Sequence, residues 1–173
     1  MSLYCDTPLP AYAEDICANE EGRIIAVAYL RSDATITDYT SAAEWNADIA
    51  AGRTVIIKNV RGEKPKSSAN SIDGFGRQKS RTVGRDFTTS YQHPDVVGNE
   101  DFYNVLNYDS SHRFAFYTQG GKVWVVEDAI ADVDADFNVP MGLNDIIVFE
   151  VAVSWSTQPM PIAYNAPASV FEI

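Results

Sequence analysis

The run DIIVFEVAVSWST, residues 145–157, places Ile147, Phe149, Val151, Val153 and Trp155 at every second position. Side chains alternate across a strand with period two, so these five share one face and no helical period fits them. Val148 and Ala152 make the opposite face partly apolar, which predicts a strand at the centre of a sheet or beneath a neighbouring subunit. Shorter segments repeat the pattern. RIIAVAYL (23–30), TITDYT (35–40) and TVIIKNV (54–60) have strand length, and in TVGRDFTTSYQ (82–92) Val83, Phe87 and Tyr91 fall on one face. HRFAFYT (112–118) and KVWVV (122–126) are joined by QGG, a hairpin signal. An aromatic content of 12% agrees, because aromatic rings suit a pleated, half-buried surface.

Two helices interrupt the strands. Ser41 and Glu44 have capping-box spacing, Trp45 and Ile49 lie one turn apart, and Gly52 stands where a helix ends in the left-handed region. Asn99 precedes EDFYNVLN, with acids in the first turn and Phe102, Val105 and Leu106 expected inward. Strand and helix do not alternate as parallel crossover units require. The expected fold is mainly β: an antiparallel β-sandwich or barrel with one or two short packed helices and a long basic loop or hairpin. The 173 residues suit a single domain that buries roughly 70% of its unfolded surface. Residues 1–22 are expected to form an extended arm, and 158–173 a Pro-rich tail with at most an edge strand.

Charge is distributed unevenly. Residues 61–85 hold Arg61, Lys64, Lys66, Arg77, Lys79, Arg81 and Arg85 against Glu63 and Asp73, seven basic to two acidic, or +5. The whole chain is -11, so everything else sums to -16. The central part, RGEKPKSSANSIDGFGRQKSR (61–81), has almost no large apolar side chain and three glycines, which predicts a flexible connection between two strands. Such a segment is either a solvated loop or a basic arm that meets an acidic surface, its own kind or a nucleic acid.

Signatures of chemistry are sparse. His93 and His112 lie in no nucleophile or metal motif, and neither GFG (74–76) nor QGG (119–121) precedes a helix as a phosphate loop would. In DVDADFN, Asp132, Asp134, Asp136 and Asn138 alternate like the first ligands of a calcium loop. Phe137 replaces the required glycine there, and Leu143 stands where the twelfth-position glutamate belongs. The segment is expected to be an acidic surface loop, and no metal or cofactor is assigned. Tyr91, Phe114, Phe116, Tyr117 and Trp124 are expected in the core or an interface. Cys5 and Cys17 match no zinc spacing and are expected to be free thiols. The first residues lack the pattern of a secretory signal and no run has the length of a membrane span, which predicts synthesis in the cytoplasm and no membrane partner.

The order of parts is a capped helix, a strand, a long polar excursion, a return strand, a short helix, a hairpin and a long late strand. This order resembles tail-tube-type virion proteins of tailed bacteriophages. ITDYTSAAEWNADIAAG, TVIIKNVRG and TTSYQHPDV are also similar in texture to structural proteins from phages of gut Bacteroidetes, including crAss-like phages. The resemblance spans roughly residues 24–157. It implies a non-enzymatic subunit that closes into a ring or stack with itself and meets other tail or neck proteins, made in the host cytoplasm and found in the virion. It implies that the loop over 61–81 reaches a neighbouring ring. It also implies an acidic lumen, to which Asp128, Asp132, Asp134 and Asp136 contribute, with DNA only as passing cargo. A nucleic-acid-binding module using the same arm, or a small β-class adhesin or enzyme, are the alternatives.

Overall fold

The computed structural model describes residues 10–12 and 22–173. The arm expected over 1–22 lies almost wholly outside the described residues, as do Cys5 and Cys17. In chain order the elements are β1 (Ile24–Arg31), α1 (Ala42–Ala50), β2 (Thr54–Ile57), β3 (Arg61–Glu63), β4 (Ser68–Ile72), β5 (Arg81–His93) and α2 (Glu100–Tyr108). They continue with β6 (His112–Thr118), β7 (Lys122–Val125), β8 (Asp132–Asn138), β9 (Val148–Thr157), β10 (Ile162–Asn165) and α3 (Ala168–Phe171). All ten strands join one antiparallel sheet in the order β10-β7-β6-β1-β3-β5-β9-β8, with β2 paired to β1 and β4 paired to β5. The fold is mainly β, as the alternation predicts.

The sheet curls on itself. β6 and β9 are well separated in strand order, yet the rings of Phe114 and Trp155 lie 5.9 Å apart, and Phe87 stacks on Trp155 at 5.4 Å. The enclosed core gathers Tyr29, Phe87, Tyr91, Phe114, Val153 and Trp155, closed at one side by Tyr103 and Leu106 of α2. The other face of β1 and β6 is covered as well. Ala26, Ala28 and Leu30 of β1 and Tyr117 of β6 form a second cluster with Trp45 of α1 and Val170 and Phe171 of α3. β1 is therefore apolar at nearly every position rather than at alternate ones.

Four local expectations need correction. TITDYT is a loop, not a strand: the Glu44 carboxylate accepts from the Thr37 and Asp38 amides at 2.7 and 2.9 Å, and Asp38 accepts from Thr40. Short polar side chains here bind the backbone that a ladder would need. α1 starts at Ser41, whose hydroxyl accepts from the Glu44 amide, and ends before Gly52 at φ +71°. Its inward partner of Trp45 is Asp48, however, while Ile49 is exposed. In α2, Tyr103 and Leu106 point inward and Val105 outward, and the Asn99 amide bonds to the Asp95 carbonyl instead of capping. The tail is more ordered than expected, since β10 pairs with β7 and α3 supplies two core side chains.

Candidate functional site in a basic hairpin and an acidic sheet face

Two strands of unequal length create the hairpin. β5 has 13 residues; β9 accompanies it only from His93 back to Arg85, and β4 pairs with its first part from Asp86 to Arg81. The segment expected as a flexible loop over 61–81 is thus in part strand: β3, a short link, β4 and a tip over 73–80. Backbone pairing with β5 needs no apolar face, which is why a polar sequence can form it. β4 is exposed along its whole length and, among the described residues, pairs with β5 alone.

The seven basic residues separate into two groups. Near the root, Arg61 bonds to Gln92 at 3.1 Å, and Arg85 holds the Ser67 hydroxyl and carbonyl at 2.7 and 3.0 Å. The Lys64 ammonium lies 5.0 Å from the centre of the Phe87 ring; partial burial, then nearby Arg85, lowers its pKa. These three fix the hairpin to the sheet. Lys66, Arg77, Lys79 and Arg81 are exposed, the last three at the tip or the strand entry beside it. Gly62 permits the root to sit close: a Cβ there would stand 2.6 Å from the Ser90 carbonyl oxygen and 2.7 Å from the Tyr91 Cβ.

Asp132, Asp134 and Asp136 lie on the exposed face of β8, not in the acidic loop expected for them. The reason is the pairing of β8 with β9 from Asp132↔Ser154 to Asn138↔Val148, which gives the whole alternating segment a ladder. Extended backbone sets alternate carboxylates roughly 7 Å apart, too wide to wrap one calcium ion. Among the described residues no group of three or more His, Cys, Asp or Glu is placed to hold a metal. The register runs Arg61↔Gln92↔Glu150↔Asp136 across β3, β5, β9 and β8, and the next outward row holds Glu63 and Asp134. Together they line a shallow groove of about 590 Å³. Asp128 is exposed in the connection between β7 and β8. No Lys, Arg or His follows Lys122, whereas eight Asp or Glu do, so β8 and β9 carry acids and no base of their own, and among the described residues Arg61 is the one basic side chain lining the groove.

Two features were not legible as sites. Tyr29, Tyr91, Tyr103 and His93 form a buried chain, with O···O distances of 2.6 and 3.3 Å and 3.1 Å from the Tyr103 hydroxyl to His93 Nδ1. His93 Nε2 faces the exposed Asp95 carboxylate at 3.5 Å. Burial lowers the His93 pKa and Asp95 opposes it; burial pushes the Tyr103 hydroxyl up to about 12. These groups come from three segments and have no shared motif. The second feature is the end of β8 and its connection to β9, where Phe137, Val139, Met141, Leu143 and Ile146 are all exposed. His112 stands 3.9 Å from Asp109 and joins neither feature. Phe114, Tyr117 and Tyr91 are buried in the core as expected, and Trp124 stacks on Phe116. Among the described residues no helix is long and apolar enough to cross a membrane.

Comparison of the chain with protein-family models, with curated proteins and with solved structures finds no match in any of the three.

Proposed function

We propose that this protein is a non-enzymatic virion structural subunit, a tail-tube-like or ring component that assembles head to tail with itself and with other tail or neck proteins. The observation that carries the reading is the exposed β4–β5 hairpin, with Arg77, Lys79 and Arg81 at its end, on a molecule whose β8–β9 face is acidic. A patch that meets a different patch on the next copy makes a heterologous contact, which closes into a ring or propagates as a stack. Charge complementarity of this kind steers encounter and fixes register more than it adds affinity. The resemblance in order of parts to phage tail-tube proteins supports the virion as location, with DNA as passing cargo along the acidic carboxylates.

Negative-stain images of the concentrated protein test this reading, with duplex-DNA retention measured alongside. Rings or stacks with negligible DNA binding are expected. Dispersed monomers that retain DNA, with affinity falling steeply as salt rises, would make the hairpin a nucleic-acid-binding arm. Dispersed monomers without DNA binding would favour the adhesin or enzyme class.

A further inference from the structure

β5 links two opposite ends of the molecule. At its Arg81 end projects the hairpin tip; at its His93 end, through the pairings His93↔Phe149 and Asn138↔Val148, lies the β8–β9 connection over 139–147. Thirteen residues of extended chain separate the two ends by roughly 40 Å, so one copy's tip does not reach its own connection.

The two ends match in composition. Beside its basic groups the hairpin exposes Ile72, Phe75 and Val83, and Phe75 is 88% accessible. The end of β8 and the connection, residues 137–147, expose Phe137, Val139, Met141, Leu143 and Ile146 around Asp136 and Asp145, with no basic residue. Met141 and Leu143 are fully exposed. Large apolar side chains gathered in one exposed loop mark an interaction surface, whereas single ones do not. The flanking acids select a basic partner, and the hairpin supplies basic and apolar groups together.

We infer that the β8–β9 connection is the seat for the β4–β5 hairpin of a second copy, with Phe75 entering among Met141, Leu143 and Ile146 while Arg77 and Lys79 face Asp136 and Asp145. This rests on the self-assembly reading and names its receptor. The contact joins opposite ends of adjacent copies, so it repeats head to tail: an open stack leaves a free hairpin at one end and a free seat at the other, and a closed ring leaves neither. The apolar anchor supplies most of the affinity, and the charges select orientation.

A photo-crosslinking residue placed at position 75 of the full chain tests it. Adducts between copies that map to residues 137–147 are expected. The double variant Met141→Ser, Leu143→Ser should abolish those adducts and weaken self-association at least tenfold, with an unchanged circular dichroism spectrum because neither side chain is buried. Adducts between copies that map to another surface, such as Asp132 and Asp134 of β8, overturn the seat but leave self-assembly standing. A chain that stays monomeric without adducts overturns both. Vesicle binding lost in the double variant while self-association is unaffected would reassign the connection to a membrane surface and overturn the seat.

Discussion

Asn107 on α2 donates to the Ala135 carbonyl at 2.9 Å and accepts from the Ala135 amide at 2.8 Å, so one side chain stands in for a neighbouring strand at the edge of β8. β8 ends the sheet order, and an uncovered edge offers its backbone to other chains. Replacing Asn107 with Ala removes both bonds. At about 1 kcal/mol each, the loss should be about 2 kcal/mol, read as a lower urea midpoint at unchanged slope. Hydrogen exchange at the Ala135 amide should accelerate in the same variant.

Gly62 faces Tyr91 across the β3–β5 pair with no room for a Cβ. Gly62→Ala should cost about 1–3 kcal/mol, since the obstacle includes the Ser90 backbone and not only a rotatable side chain. Thermal unfolding measures it. A variant as stable as the parent would mean that β3 can move away from β5 at no cost.

Thr89 is fully buried and its hydroxyl has no hydrogen-bond partner among the described residues. Valine keeps the β-branched shape and suits the strand. Thr89→Val should therefore stabilise the fold by about 1 kcal/mol, the lower end of the cost of an unsatisfied buried polar group. Denaturant titration gives the sign directly.

Burial holds the His93 pKa below its ordinary value near 6.5, against the opposing pull of Asp95. The unfolded chain consequently binds a proton more readily than the folded one. Stability from this group is complete above pH 6.5 and falls as the pH drops through 6.5 toward the folded value. The hydroxyl chain supplies the reason. A neutral ring accepts from Tyr103 and each tyrosine donates onward, whereas a charged ring reverses the chain and leaves the buried Tyr29 hydroxyl without an acceptor in that chain. Melting temperatures from pH 7.5 to 5.5 should decline more steeply for the parent than for His93→Gln. Parallel curves would exclude the group as a source of pH dependence.

Strand positions were legible wherever a segment is half-buried, because period two survives in sequence: 147–155 reads apolar at alternate positions and lies buried at Phe149, Val151, Val153 and Trp155. TITDYT has strand length and is a loop: its apolar Ile36 and Tyr39 are three apart, which breaks period two, and both are buried by turns that Glu44 and Asp38 hold. The aspartates of β8 have the spacing of a calcium loop, but Val133, Ala135 and Phe137 alternate with them at period two and Val133 reaches the core, so the strand was legible there; its ladder to β9 and the Asn107 amide complete it. At the candidate site the basic composition of 61–85 was visible. Its division into rooting residues such as Arg85 and Lys64 and projecting ones such as Lys79 depends on Ser67 and Phe87, neighbours that sequence spacing does not reveal.

Self-association through the hairpin is tested most directly by sedimentation velocity of the parent and of the triple variant Lys66→Glu, Arg77→Glu, Lys79→Glu at low and high salt. All three residues are exposed and lie outside the core, so folding should be unaffected. Single exposed pairs are worth under about 1 kcal/mol, which is why three reversals are combined. The parent should sediment as an assembly at low salt and shift partly toward smaller species as salt rises, while the triple variant, which sets Glu against Asp136 and Asp145 but keeps the Phe75 anchor, should assemble more weakly at every salt concentration with the parent's melting temperature. Equal assembly of both proteins at low salt, or a parent that stays monomeric at every concentration, would contradict assembly through this hairpin.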